Sequence, residues 1–248
     1  MKFLVVVPTI RQSLPGFEDT MAQLKASFTH PTEFHILDGS KSKPDALNRA
    51  YDELLTPSDC DVYVTVDDDY IAGKNWQDEI AKAMDVLPEV GAFGIWLGDK
   101  LEMLEVMGAY LIGPELKKNG LRYRELAKTH HIAGALIAFR REIAIGVGKQ
   151  PESDFGYQIW EDAYRGRRVR LLGKELAYIV LPEGPPHLIV YADTKEYLEK
   201  KQREMDAGHA LSAQFLAKGG IKDPWTLQLR RFLGRNKVKL LNWLRGKR

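Results

Sequence analysis

Val62-Tyr63-Val64-Thr65-Val66-Asp67-Asp68-Asp69 is the stretch on which the fold turns. Five β-branched or aromatic residues in a row suit a short strand buried on both faces. Three carboxylates then stop it at once. The same arrangement recurs on either side. Phe3 to Val7 is a strand run closed by Pro8-Thr9-Ile10-Arg11, Phe34 to Leu37 is one closed by Asp38-Gly39-Ser40, and Ala92 to Leu97 is a fourth. Helical spacing fills the gaps, over Phe17–Phe28, Pro44–Leu55 and Trp76–Leu87; the middle helix carries Ala46, Leu47, Ala50, Tyr51 and Leu54 on one face. Strand–helix alternation of this kind predicts an α/β chain with a doubly wound, mostly parallel sheet. In such sheets functional residues gather outside the carboxyl ends of the strands. The clusters at 8–11, 38–40 and 67–69 all fall there.

The second half is less regular. It predicts a strand over Ile132–Phe139, a helix over Glu161–Leu172, and a strand over Leu176–Leu181. The turn Pro182-Glu183-Gly184-Pro185-Pro186 then leads to His187, a polar helix covers Thr194–Ala207, and a linker sits near Gly219-Gly220. The expected organisation is a first half over 1–100, a second half of the same domain over 101–220, and a C-terminal helical tail over 221–248.

The chain has 248 residues, 44% hydrophobic and 28% charged, which suits an ordinary packed core. Cys60 is the single cysteine, so no internal disulfide can form, as fits a reducing compartment. The apolar start is too short for a signal peptide, and no stretch nears the roughly 20 apolar residues of a membrane span. A cytoplasmic location is expected. The net charge of +2 conceals an asymmetry: between Lys222 and Arg248 nine Lys and Arg face one acid, Asp223, which leaves −6 on the rest. Trp225, Leu229, Phe232, Leu233, Leu240, Trp243 and Leu244 share one broad helical face there. A basic amphipathic helix suits an anionic membrane surface, reached peripherally from the cytoplasm. Packing on the body or on a second subunit is the competing reading, and nucleic acid is a weaker third.

Side chains two apart on a strand point the same way, so Asp67 and Asp69 can share a face. Two neighbouring carboxylates repel unless a cation neutralises them. Mg2+ or Mn2+ is the natural partner, because these ions prefer carboxylate oxygen and substrate phosphates. A solvated acidic loop is the plainer alternative. Glu161-Asp162 opens a basic helix bearing Arg165, Arg167, Arg168 and Arg170. Acids at a helix start serve as caps, and a functional carboxylate there serves as general base. His130, His131, Trp96 and Trp160 allow either a binding role or an ordinary loop or core role.

Taken in order, these pieces resemble the family 2 glycosyltransferases, nucleotide-diphospho-sugar transferases of the GT-A fold. The matching features are Val7-Pro8-Thr9, Asp38-Gly39-Ser40, Lys43 through Asn48, the Asp-x-Asp of Asp67-Asp68-Asp69, Ala133-Gly134-Ala135 through Arg140-Arg141, Glu161-Asp162 with Arg168 and Gly173 after it, and His187. The resemblance spans roughly residues 3 to 190. It departs from the family pattern at Ala163-Tyr164, where an acid often follows the Glu-Asp pair, and in the short Asp-Gly-Ser. The aromatic motifs of processive synthases are absent, so single-sugar transfer is expected.

The resemblance implies a GT-A type sheet with a donor-binding half over 1–100 and an acceptor-side α+β half over 101–220. It implies inversion at the sugar carbon by in-line displacement from a nucleotide-diphospho-sugar. The donor site so implied takes in Pro8, Thr9, Arg11, Asp38, Lys43, Asn48, Asp67 and Asp68, with Asp38 toward the base. Asp67, Asp69 and His187 are the implied ligands of Mn2+ or Mg2+. Asp162 is the implied general base, with Glu161 beside it. The acceptor is expected to be a lipid-linked or glycan hydroxyl at a membrane. A soluble transferase acting on nucleic acid or protein is the first alternative, and a catalytically inactive GT-A-like binding protein the second; a homo-oligomer is compatible with each.

Overall fold

The computed structural model describes residues 1–98, 112–128, 130–133, 135–151 and 161–189, with the single residues 191, 193, 195 and 199. The expected helix over 194–207 falls largely outside these residues, and the tail over 221–248 wholly so.

An eight-stranded sheet forms the centre. Strand β1 (Phe3–Thr9) lies between β2 (Thr32–Asp38) and β3 (Val62–Val66), both parallel to it. Beyond β3 come β8 (Leu136–Arg140), β5 (Val90–Ile95), β9 (Glu175–Ile179), β7 (Leu121–Leu126) and β6 (Ile112–Lys118). Six strands run one way; β8 and β7 run against them. Strand β8, from the second half of the chain, is thus inserted between two strands of the first half. A two-stranded ribbon, β4 (Tyr70–Ile71) with β10 (His187–Leu188), stands apart.

Alternation along β1 and β3 explains why the sheet is covered on both sides. Phe3, Val5, Val7, Val62, Val64 and Val66 join one apolar cluster with helices α1 (Phe17–Ala26) and α3 (Trp76–Val86). Leu4, Val6 and Tyr63 join the other, against α2 (Lys43–Ala50), α4 (Arg141–Val147) and α5 (Glu161–Leu171). Both strands are buried throughout, as the unbroken β-former runs foretold. Ser42 caps α2 by accepting from the Asp45 N–H at 3.1 Å, with Pro44 in the first turn. A π-helical turn, Tyr51–Leu55, continues it to the end of the predicted helix.

Three differences from the sequence pattern have local causes. The hairpin β6–β7 was not predicted, although its turn Asn119-Gly120 has both residues at positive φ (48° and 75°), the geometry of a two-residue hairpin turn. The strand predicted from Ile132 begins only at Leu136, because the Ala133 N–H turns aside to the Tyr178 hydroxyl at 2.8 Å. Helix α4 follows β8 without a loop, and no side chain caps it.

Candidate active site

The sheet itself makes the cleft. The order β2-β1-β3 puts consecutive connections on opposite sides of β1, so the switch point lies between the carboxyl ends of β1 and β3. The ladder from β1 to β3 stops at Val6↔Thr65, whereas that to β2 continues to Thr9↔Asp38. Pro8 sits in the stretch where β1 has already parted from β3, so its missing N–H breaks no bond on that side. Antiparallel β8 brings its lead-in to the same edge, where the Asp67 N–H donates to the Ala135 carbonyl at 2.9 Å. Helix α5 precedes β9, a strand parallel to β5, so its first residues, Glu161 and Asp162, also start at this edge.

The three aspartates divide into different roles. Asp68 is 4% exposed and faces the protein. It accepts from Arg11 Nη1 at 2.6 Å and from the Thr9 hydroxyl. The Arg11 fork grips Asp193 through Nε at 2.9 Å and Nη2 at 3.0 Å, and its plane lies 5.3 Å over Tyr191, whose hydroxyl donates to the Asp68 carbonyl at 2.9 Å. Burial pushes the Asp68 carboxyl up, against the pull of Arg11 and Thr9. Thr9 and Arg11 are buried as well, and the Arg11 N–H binds the Thr9 hydroxyl at 2.8 Å. The geometry therefore makes Thr9, Arg11 and Asp68 a framework beneath the cleft. Their polar groups pair with one another and with Asp193. No sequence signal pointed to Asp193 or Tyr191.

Asp67 and Asp69 are the aspartates with exposed side-chain surface, 32% and 28%. Lys43 Nζ bridges Asp67 and Glu161 at 2.6 Å each, so α2, β3 and α5 meet at one ammonium. Burial raises the Asp67 carboxyl, and the charges of Asp69 and Asp162 raise it further against Lys43. Arg11 Nη1 lies 3.3 Å from Asp69 Oδ2. The Asp69 carbonyl accepts from Ile189 at 2.7 Å, tying the acidic loop to the chain just after β10.

Asp162 Oδ1 accepts from the Ala163 N–H at 2.6 Å, and Oδ2 lies 3.5 Å from His131 Nε2. Burial works to raise this carboxyl, but His131, Lys43 and the Ala163 N–H outweigh it and hold it well below the usual carboxylate range.

Other predicted residues stand further off. His187 is exposed on β10, paired with Ile71, and among the described residues no group of three His, Cys, Asp or Glu converges into a metal-holding set. His187 is thus not gathered with Asp67 and Asp69 as the family pattern implied. The Asn48 amide is engaged by the Gln150 backbone, donating at 3.0 Å and accepting at 2.8 Å, so it latches the chain that leads toward α5. Asp38 is the exposed last residue of β2, and two hydrogen bonds from Ser40 together with Arg49 hold its carboxyl low. Trp96 is core, edge-on to Tyr178 at 5.5 Å. Trp160 lies outside the described residues. Cys60 is buried, and no role attaches to it.

No protein-family model and no curated protein sequence matches the chain. Solved structures do. A197 from STIV superposes with a TM-score of 0.51 at 14% identity, over 77% of this chain and 86% of that one. Mannosyltransferase PcManGT from Pyrobaculum calidifontis, solved with GDP-Man and Mn2+, gives a TM-score of 0.48 at 16% identity, over 86% of this chain and 64% of that one. Glucosyl-3-phosphoglycerate synthase from Mycobacterium tuberculosis, solved with Mn2+, UDP and phosphoglyceric acid, gives 0.48 at 14% identity, over 90% and 80%. At such identities the likeness to A197 speaks for the fold alone: the chain shares the α/β fold of A197 from STIV.

Proposed function

We propose that the chain is a metal-dependent, inverting glycosyltransferase that moves one sugar from a nucleotide-diphospho-sugar to an acceptor hydroxyl. One observation carries this reading: two carboxylate pairs, Asp67 with Asp69 and Glu161 with Asp162, meet at the switch point of the sheet. The Asp67 carboxyl there is raised by burial and by the charges of Asp69 and Asp162. That surplus of negative potential fits Mg2+ or Mn2+ held by two carboxylates and completed by substrate phosphates. Asp67 and Asp69 are the residues to hold it; bound there, it neutralises charge on the departing diphosphate. Asp38, at the end of β2, lies on the side assigned to the nucleotide base. Lys43 restrains Asp67 and Glu161. Asp162 takes the proton of the acceptor hydroxyl; its low-lying carboxyl is ionised at neutral pH, and proton transfer to it relies on its position in the cleft and not on its basicity.

Calorimetry over a panel of uridine, guanosine and cytidine diphosphate sugars, with and without Mn2+, tests the reading. One donor is expected to bind only with the metal, and Asp69→Ala is expected to weaken that binding at least about tenfold, some 1.4 kcal/mol. Metal-dependent binding that survives in Asp69→Ala removes this aspartate from the site.

The acceptor class is inferred from composition alone. A basic segment with tryptophans over 224–248 suits a lipid-linked or glycan acceptor at an anionic surface. Among the described residues no helix is long and apolar enough to cross a membrane. The chain is expected to sediment with vesicles containing phosphatidylserine and to be released as salt rises from about 0.1 to 0.5 M, because screening shortens electrostatic reach. Equal sedimentation with neutral vesicles, or preference for duplex DNA, overturns the membrane reading.

A further inference from the structure

Asp162 has two carboxylate oxygens and two different neighbours. Oδ1 is fixed by the N–H of the next residue in its own helix. That contact is local and moves with α5. Oδ2 faces His131 Nε2 at 3.5 Å, and His131 arrives from a different element, the lead-in to β8. The direction of Oδ2 relative to the cleft therefore depends on where that lead-in is seated.

The lead-in is seated from three sides. Ile132 is buried at 1% exposure in the cluster beneath α4 and α5. Ala133 donates its N–H to the Tyr178 hydroxyl at 2.8 Å, on β9. The third contact is with Gly166, within α5. A Cβ added at Gly166 meets the His131 Cβ at 2.9 Å and the His131 Cα at 3.4 Å. Neither is a flexible side-chain tip, so a side chain at 166 displaces the His131 backbone. Glycine inside a helix costs about 1 kcal/mol relative to alanine. At 166 that cost coincides with close packing of His131 against the helix that carries Asp162.

We propose that His131 is a positioning residue for Asp162, holding the second carboxylate oxygen toward the acceptor, and that the missing side chain at Gly166 is what lets it do so. The inference rests on the reading of Asp162 as the base, and sharpens it: the proton-accepting unit is a carboxylate clamped between its own helix and a neighbouring loop. Misplacing a reacting group by about 1 Å is enough to cost on the order of 10²-fold.

The test uses the full chain, hydrolysing the nucleotide sugar that binds in the Mn2+-dependent screen above, with water as the acceptor that attacks the sugar carbon, gives its proton to Asp162 and releases the nucleoside diphosphate. His131→Leu is expected to lower kcat about 10–100-fold with the donor KM within about twofold. His131→Gln, which returns a nitrogen donor close to the Nε2 position, is expected to recover to within about threefold of the wild type. Gly166→Ala, which changes no polar group, is expected to fall with His131→Leu. If His131→Leu turns over at the wild-type rate while Asp162→Asn is inactive, the positioning role is overturned and the base assignment stands. If His131→Leu and His131→Gln lose activity equally, the side chain merely fills space and the proposal is again overturned. If Asp162→Asn itself keeps the wild-type rate, the base assignment fails, and the positioning role fails with it.

Discussion

Asp162→Asn is expected to lower kcat by about 10²–10⁴-fold, the usual contribution of a positioned general base, while donor affinity measured with Mn2+ changes by no more than a few fold. The substitution keeps the shape of the side chain and leaves an oxygen for the Ala163 N–H, which Asp162 Oδ1 accepts at 2.6 Å. What it removes is the ability to accept a proton. The donor side of the site is built on Asp67 and Asp69, on a different element, so binding and chemistry should separate. The pH dependence supplies a second check. Proton acceptance needs ionised Asp162, and its carboxyl lies well below the usual carboxylate range, because His131, Lys43 and the Ala163 N–H outweigh burial. Its ionisation therefore survives as pH falls through the ordinary carboxylate range. Asp67 is shifted the other way, upward, chiefly by burial. Metal ligands must be deprotonated, so acid removes Asp67 from its task first. Acid should thus weaken Mn2+ binding to the metal-free chain through Asp67, and an acid limb from this cause should persist in the residual activity of Asp162→Asn. A limb that vanishes in that variant reassigns it to Asp162. Wild-type turnover by Asp162→Asn ends its role as base.

The fold was legible wherever a strand is buried on both faces. Val62–Val66 was bounded to the residue and β1 extends its predicted core by two residues, because a two-sided β-former run admits no other packing; β2, a half-exposed edge strand, was marked by its β-formers alone and extends its predicted core at both ends. The gathering of acids at one edge was legible for the same reason, since β–α alternation dictates which ends of the strands face the cleft. What stayed hidden depended on non-local pairing. Nothing in Leu136–Arg140 says that it runs antiparallel between β3 and β5, yet that insertion brings His131 to Asp162. Asp193 looks like any surface acid in a polar stretch, yet it takes both arms of the Arg11 fork. The triplet was read as one motif with Asp68 unexplained, because period-two alternation says which side chains share a face and not which face is inside. The hairpin at Asn119-Gly120 did carry a local signal, but a polar strand pair at a sheet edge lacks the apolar runs that marked the others.

Asp68→Ala is expected to destabilise the chain by about 3–5 kcal/mol, the cost of leaving one partner of a buried ion pair behind. It should also weaken Mn2+-dependent donor binding without touching a proposed ligand. Arg11 and Asp68 are 7% and 4% exposed, so neither can exchange its partner for water. With the Asp68 carboxylate gone, Arg11 keeps Asp193, and its Nη1, already 3.3 Å from Asp69 Oδ2, is drawn toward that carboxylate. A metal ligand is then drawn into an internal ion pair. The reverse variant separates charge from contact. In Arg11→Met the Asp68 carboxyl, already raised by burial, loses the cation that opposed the rise and moves up further. A carboxyl whose folded pKa is raised stabilises the fold below its unfolded pKa, and that contribution is lost as pH rises through the folded pKa. Arg11→Met should therefore be least impaired in acid and most impaired near neutrality and above. Urea denaturation of both variants between about pH 4.5 and 8 reads the two trends. The double variant Arg11→Met/Asp68→Leu should recover the part of the loss that comes from Asp68, because an apolar pair often replaces a buried ion pair at little cost, but not the part from Asp193, which loses both its hydrogen bonds to Arg11 wherever Arg11→Met is present. If the two single losses add in the double variant, or if Arg11→Met is equally unstable across the pH range, Arg11 and Asp68 are not the coupled framework of this cleft.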